Sequence, residues 1–440
     1  MHAPHLWRTI RVPEPYQTSA KINDRSVTYA GDVRMGSLRH PGSVDFLVYR
    51  SVDDSHDGGG LKPVFAGAFD IEGQPLWSVG VEGEQPSRPG PVAIHDIDGD
   101  GNDEVVCLWK RADVDAEPSS LADTELRILD GKTGKLKHRS APPELTACFG
   151  NGPNWVHQRI LIANLRGTDT PRDFIIKLGR VILAFDQNLD VLWRYECPWS
   201  EYGHCPAYIP SVGDIDGDGH DEVNGGYFLL DHDGSVLWER DWAPNMDSVS
   251  ITKWDDGNIR AIGSGGGHVF DEAGNVVLSL GENLVPHGQE VRVARFLDDD
   301  PSPQMAVRWN GHHTDILVAD TSGTVLNRFN LNESPNNTGM EAVHWLEPGE
   351  RALLYNGGML WDAETGEGVN LPDLPDPDPV GRMAWYHCIP ANVCGDDLEE
   401  IVLYNPWDPA IYVYTPGDAN DPVVDPYRAG PRQYNVRLMD

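Results

Sequence analysis

From Phe69 onward the chain repeats one phrase every 40 to 60 residues. An apolar run meets an aspartate, a short polar turn follows, usually with glycine, and a second apolar run often ends in tryptophan. It reads FDIEGQPLWSV from Phe69, LDGKTGKLK from Leu129, FDQNLDVLWRY from Phe185 and LDHDGSVLWER from Leu230. It continues as FDEAGNVVLSL from Phe270, ADTSGTVLNRF from Ala319 and WDAETGEGVNL from Trp361. Two short apolar runs around a polar turn predict a β-hairpin. Upstream of these phrases lies a second strand pair, clearest in VAIHDIDGDGNDEVVCLW (92–109) and SVGDIDGDGHDEVNGGY (211–227). Weaker versions occur at 159–178, 291–309 and 342–355, and an eighth pair at 383–404 is followed by AIYVYTP.

Four strands per unit, repeated without helical periodicity between them, predict an all-β chain folded as a β-propeller with four antiparallel strands per blade. Eight blades are counted, seven if a terminal unit is degenerate. A ring of this kind makes residues 1–440 a single domain. RTIRV (8–12) and YNVRL (434–438) have strand-like patterns and are expected to complete a shared blade that closes the ring.

Composition narrows the function. Hydrophobic residues make up 40% of the chain, enough for a large core, and no apolar run is long enough to span a membrane. The chain carries 34 basic and 69 acidic residues, a formal charge of −35. Such a surface repels a polyanion, so nucleic acid is not an expected partner. No secretion signal is visible at the N-terminus, which leads to a cytoplasmic expectation, with secretion the alternative if a leader is missing. The six cysteines form no CxxC pair and are read as free thiols, although Cys197 and Cys205 are placed to pair in an oxidising compartment.

Two segments carry metal-loop spacing. Asp96, Asp98, Asp100 and Glu104 stand at positions 1, 3, 5 and 9, with Gly101 at position 6 and the Asn102 carbonyl at position 7. Asp214, Asp216, Asp218 and Glu222 repeat the spacing, with His220 at position 7. Hard oxygen donors on a tight glycine turn suit a structural Ca²⁺; the bland reading is an acidic turn without an ion. Asn392, Asp396 and Glu400, with Cys394 at position 3, form a third candidate. In the third blade Arg166 replaces an acid, and the expectation is that its guanidinium holds that loop together.

If these loops share one face, the opposite face gathers the connections where propellers place ligands, at the mouth of the central channel. Those connections hold Arg159, Lys177, Tyr202, His204, Tyr227, Asp247, His287, Arg308, Trp385, His387 and Trp407, with further His and Arg among them. Each has an ordinary packing role open to it. Together they suit an anionic, ring-shaped ligand such as an acidic sugar.

NLRGTDTPRDFIIK (164–177), YGHCP (202–206), GDIDGDGHDEVNGGYFLLDHDGSVLW (213–238), MDSVSI (246–251) and HGQEVRVARF (287–296) resemble propeller polysaccharide lyases. The groups concerned are the eight-bladed rhamnogalacturonan lyases and the related rhamnosyl-glucuronate and ulvan lyases. The stretch PNMDSV departs from the pattern by lacking a histidine before Asp247. The resemblance implies β-elimination at a uronic acid within an acidic oligosaccharide or polysaccharide. That chemistry needs a neutralised carboxylate, a base at the C5 proton and help for the leaving oxygen. His204 is the expected base, with Tyr202 or His287 assisting the leaving group and Lys177, Arg159 and Arg308 clamping the carboxylate. Tyr227, Asp247, Trp385, His387 and Trp407 are expected to bind substrate. A non-catalytic calcium-dependent glycan-binding propeller is the alternative. A propeller glycoside hydrolase is less favoured, because few unpaired acids fall on that face.

Overall fold

In the computed structural model, antiparallel strands assemble into eight four-stranded blades, each with its strands in meander order, and one further two-stranded hairpin. The structure describes residues 3–22, 24–52, 62–84, 89–150, 155, 157–199, 206–240, 246–254, 257–333, 339–377 and 383–435. The first strands of blades 1 to 7 are Asp32–Gly36, Val92–His95, Arg159–Ala163, Ser211–Gly213, Val249–Lys253, Glu290–Ala294 and Glu341–Val343. Blade 8 takes His387–Ala391, Glu400–Tyr404 and Ala410–Thr415 from the end of the chain, and its fourth strand, His5–Arg11, from the start. Pairing of Ile10 with Ile411 and Thr9 with Tyr412 closes the ring. The extra hairpin joins Thr18–Ile22 to Arg25–Tyr29.

The N-terminal half of the expected sharing is observed: among the described residues the N-terminal segment supplies the fourth strand of the last blade. Tyr434 ends a short helix, Pro431–Tyr434, and residues 436–438 lie outside the described residues. That helix packs against the first strands of blades 1, 2 and 8. Asn435 bonds both backbone groups of Ile162: its Oδ1 accepts from the Ile162 N–H at 2.7 Å, and its Nδ2 donates to the Ile162 carbonyl at 2.7 Å. Below this plug lies a channel cavity of about 340 Å³, lined by the first strands of blades 3 to 8 and closed by Pro431, Arg432 and Asn435.

The core follows the ring. Eight buried apolar clusters occur among the described residues, each spanning two adjacent blades. The recurring tryptophan explains part of this registry. Trp77 Nε1 donates to the Gly131 carbonyl at 2.6 Å and Trp193 Nε1 to the His232 carbonyl at 2.8 Å, each reaching the hairpin turn of the next blade. Gly134 (φ 67°) and Gly234 (φ 82°) lie against those rings, where a Cβ would come within 2.4 Å and 2.7 Å. Glycine in the turn thus serves both the left-handed backbone and the neighbouring indole.

In a meander, first-to-second and third-to-fourth turns share one end of the blade, here called the turn face. The second-to-third turns and the links between blades share the other, the connecting face.

Candidate functional site

The connecting face brings together side chains from blades 5 and 6 and from the link into blade 4, where Tyr208 lies. Asp247 enters on the link into blade 5, His287 on the link into blade 6, and Arg308 ends the second strand of blade 6. His287 Nε2 stands 3.5 Å from Asp247 Oδ2. A backbone bridge to Asn310 fixes the His287 segment, and the Tyr208 amide donates to the Asp247 carbonyl at 2.9 Å. Gly311 (φ 55°) lies beside the other ring nitrogen, where a Cβ would come within 2.9 Å of Nδ1. Asp247 is buried, and burial raises its pKa against the opposing pull of His287, Arg308 and His312. The His287 side chain is 31% exposed, so the pair has a wet end and a dry end.

Arg308 lies in the same patch, facing Glu290, Asp247 and Tyr208. It is fully buried, and none of its three guanidinium nitrogens has a hydrogen-bond partner among the described residues. Burial lowers its pKa to about 10, against the attraction of Glu290 and Asp247. Behind it, Arg292 NH2 bridges Glu290 Oε1 and Glu341 Oε1, each at 2.8 Å. Those two acids are therefore committed to Arg292. A buried cation with unfilled donors is costly unless an anion reaches it.

Arg159 and Lys177 are register partners at the same end of blade 3, both buried. Arg159 donates to the Gln158 carbonyl at 2.9 Å and to that of Pro89, and Lys177 Nζ to the His157 carbonyl at 3.4 Å. They shape the wall on which His157 and Tyr208 stack, with ring centroids 3.9 Å apart. Tyr227 is buried in the core between blades 3 and 4, and its hydroxyl accepts from the Met246 amide at 3.1 Å. Tyr202 and His204, and with them the expected base, lie outside the described residues, as does Cys205.

Trp385, His387 and Trp407 fall around blade 8. Trp407 contacts Trp385 at 6.5 Å and Tyr29 of the extra hairpin at 5.1 Å. His387 stacks on Tyr404 at 5.0 Å. Beneath them is a network that no sequence motif announces. The Asp32 carboxylate accepts from Arg34 at 3.1 Å and from the hydroxyls of Tyr49 and Tyr404. Asp32 starts blade 1, Tyr404 belongs to blade 8, and Gly90, which donates to Asp32 at 3.3 Å, leads into blade 2. The site tyrosine missed by sequence reading, Tyr208, sits on a link with no pattern of its own.

On the turn face, the two aspartate loops have the same internal bonds. Gly99 N–H donates to Asp96 Oδ1 at 2.8 Å and Gly217 N–H to Asp214 Oδ1 at 2.6 Å. Carboxylates of Asp96, Asp98 and Glu104 converge in one loop, and those of Asp214, Asp216 and Asp218 in the other. Asn102 lies at the edge of the first, bonded to Asp100 Oδ1 at 2.9 Å, and His220 at the edge of the second, 3.0 Å from Asp218 Oδ1. Arg166 holds the third-blade loop as expected, with NH2 2.7 Å from Asp173 Oδ1. In the last blade Asp421 joins Cys394 and Asp396.

No family model matches the chain. Over 247 residues it is 24% identical to the rhamnogalacturonan exolyase YesX of Bacillus subtilis (strain 168), a match covering 48% of this chain and 40% of that protein. It therefore spans less than half of that curated relative. Among solved structures, rhamnogalacturonan lyase YesW aligns with a TM-score of 0.71 at 18% identity, over 92% of this chain and 75% of the other. The V. cholerae biofilm matrix protein Bap1 aligns at 0.61 and 13% identity, over 99% and 94%. At these identities the structural likenesses establish a shared fold: the chain is an eight-bladed β-propeller of the architecture found in rhamnogalacturonan lyases and in a matrix protein.

Proposed function

We propose that this propeller is a glycan lyase that cleaves a rhamnose–uronic acid linkage in an acidic oligosaccharide or polysaccharide by β-elimination. The observation that carries this reading is the Asp247–His287 pair beside Arg308, whose buried guanidinium lacks an acceptor among the described residues. Arg308 is 0% exposed, so this reading requires the segments over it to shift; a uronate carboxylate paired with its fork would be neutralised, which acidifies the adjacent C5–H. His287, oriented by Asp247, removes that proton; the C5–H electron pair becomes the C4–C5 double bond, and the C4–O bond breaks. The leaving oxygen takes a proton from an acid or water. The sequence likeness to a rhamnogalacturonan exolyase supports the same substrate class. Arg159 and Lys177 support the wall of the site, and Trp385, His387 and Trp407 offer rings to more distant sugars. His204 and Tyr202 are retained as proton-transfer candidates on residue chemistry alone. With the C-terminal helix closing the channel at the turn face, substrate approaches from the connecting face. Ca²⁺ in this reading is structural, and a cytoplasmic enzyme of this kind would work on short imported oligosaccharides.

In a second reading, a glycan-binding propeller without turnover, the fully buried Arg308 is part of the scaffold and takes no part in chemistry. Hydrolysis fits less well, since Glu290 and Glu341 are tied to Arg292 and Asp247 to His287. The test is ultraviolet absorbance of the unsaturated uronate during incubation with rhamnose- and uronate-containing glycans. A rise supports elimination. New reducing ends without absorbance indicate hydrolysis, and binding with neither indicates the second reading. His287→Ala should reduce turnover by about 10²-fold or more. Arg308→Lys, which keeps charge but loses the planar fork, should lower kcat/KM about 10- to 100-fold. Full activity in His287→Ala together with loss in His204→Ala would transfer the base to His204.

A further inference from the structure

The eight-fold repeat supplies internal controls for the metal loops. In most blades the second strand begins with a buried polar side chain under the first-to-second turn, and in blades 1, 3, 6 and 8 that group is satisfied from within the protein. In blade 1, Asp45 is held by Arg39 Nε at 2.6 Å, and the same guanidinium reaches Asp70 at 3.1 Å. In blade 3, Arg166 does this for Asp173. In blade 6 the position is Gln304, whose Oε1 accepts from the Phe296 amide at 2.6 Å. In blade 8, Glu400 accepts from the amides of Val393 and Cys394 and from Thr415 Oγ1.

Blades 2 and 4 share the aspartate motif but not its surroundings. In blade 2 the ammonium of Lys137 stands among the loop oxygens, 2.5 Å from Asp98 Oδ2, 2.9 Å from Glu104 Oε1 and 3.6 Å from Asp100 Oδ2. Lys137 is the bulged residue of the fourth strand, between the paired Leu136 and His138. The same bulge in blade 4, between Val236 and Trp238, is occupied by Leu237. Glu222 Oε2 accepts from the Ile215 amide at 2.8 Å, but Oε1 is buried without a hydrogen-bond partner among the described residues. The charges acting on Glu222 most strongly are those of Asp216, Asp218 and Asp231, all of like sign. His220 and His232 stack at 4.3 Å, with His220 Nδ1 3.0 Å from Asp218 Oδ1 and His232 Nδ1 2.8 Å from Asp231 Oδ1.

We infer that the chain takes a Ca²⁺ ion at the blade 4 loop, on Asp214, Asp216, Asp218 and Glu222, and none at the blade 2 loop, where Lys137 replaces it. The two loops have one motif and opposite needs. A buried carboxylate among like charges requires a cation, and hard oxygen donors on this spacing select Ca²⁺. The blade 2 oxygens already have theirs, and a second cation would have to expel it.

The test is calorimetric titration of the chelator-stripped full chain with CaCl₂, with native mass spectrometry to count ions. Asp216→Asn, an exposed substitution that spares folding, should lower the count by one and remove the Ca²⁺-dependent rise in Tm. Asp98→Asn should leave the count unchanged, and Lys137→Met should raise it by one. An unchanged count in Asp216→Asn overturns the blade 4 site. A loss in Asp98→Asn, or no gain in Lys137→Met, overturns the replacement by lysine. These readouts are independent of glycan turnover, so they stand or fall apart from the lyase reading.

Discussion

Asp32 shows how one residue ties the ring together. Its carboxylate takes a guanidinium from its own strand, two tyrosine hydroxyls from blades 1 and 8, and the Gly90 amide on the way into blade 2. Burial by itself would raise its pKa, but Arg34, His387 and the two hydroxyls outweigh burial and hold it below 3.8. A folded-state pKa below the unfolded value means the stabilisation is present above about 3.8 and is lost as pH falls through the lower folded value. Asp32→Asn leaves Arg34 buried without its counter-charge and should cost about 3–5 kcal/mol at neutral pH. The gap between wild type and Asp32→Asn should narrow in denaturant titrations repeated below the carboxylate range. A gap independent of pH would show that packing, not charge, gives Asp32 its weight. Sequence reading passed over Asp32 because a lone aspartate at a strand start has no spacing partner. Its partners are 17 and 372 residues away.

At the scale of elements, the closing strand has the largest lever. His5–Arg11 covers the edge of Ala410–Thr415, burying Trp7 and Ile10 between blades 8 and 1. Removing residues 1–12 strips that edge and opens a row of unpaired backbone groups. Each large apolar side chain lost costs about 1.5–3 kcal/mol. The truncated chain should melt at lower temperature and aggregate with rising concentration, which scanning calorimetry and light scattering would record. An unchanged Tm would mean that the neighbouring blades hold the ring without the strand. The hairpins were legible in advance, because polar turns between alternating apolar runs are local signals. Local alternation is also what marks YNVRL as a strand; of that segment the described residues are Tyr434, which ends a helix begun at Pro431, and Asn435, which with Gln433 anchors that helix over the channel.

For the molecule as a whole, charge matters more than any single pair. A formal charge of −35 on one ring gives long-range self-repulsion that the internal Arg–Asp brackets relieve only locally. Raising NaCl from about 0.01 M to about 0.5 M shortens the screening length from about 30 Å to a few Å. The Tm of the chelated protein should therefore rise with salt. A fall would show that exposed ion pairs outweigh the repulsion.

The repeat, the blade count, the turn chemistry and the acidic loops were all present in the sequence, because strand periodicity and turns depend on residues within a few positions of one another. What tertiary structure decided was convergence. Tyr208, Asp247, His287 and Arg308 come from blades 5 and 6 and from the link into blade 4, and they meet only because the ring brings their connections to one mouth. Identical loops at Asp96 and Asp214 were separated in character by Lys137 and Leu237, residues on another strand, 39 positions from Asp98 in the first case. Local pattern specifies each blade; only closure of the ring specifies which charges face one another, and that juxtaposition sets the chemistry.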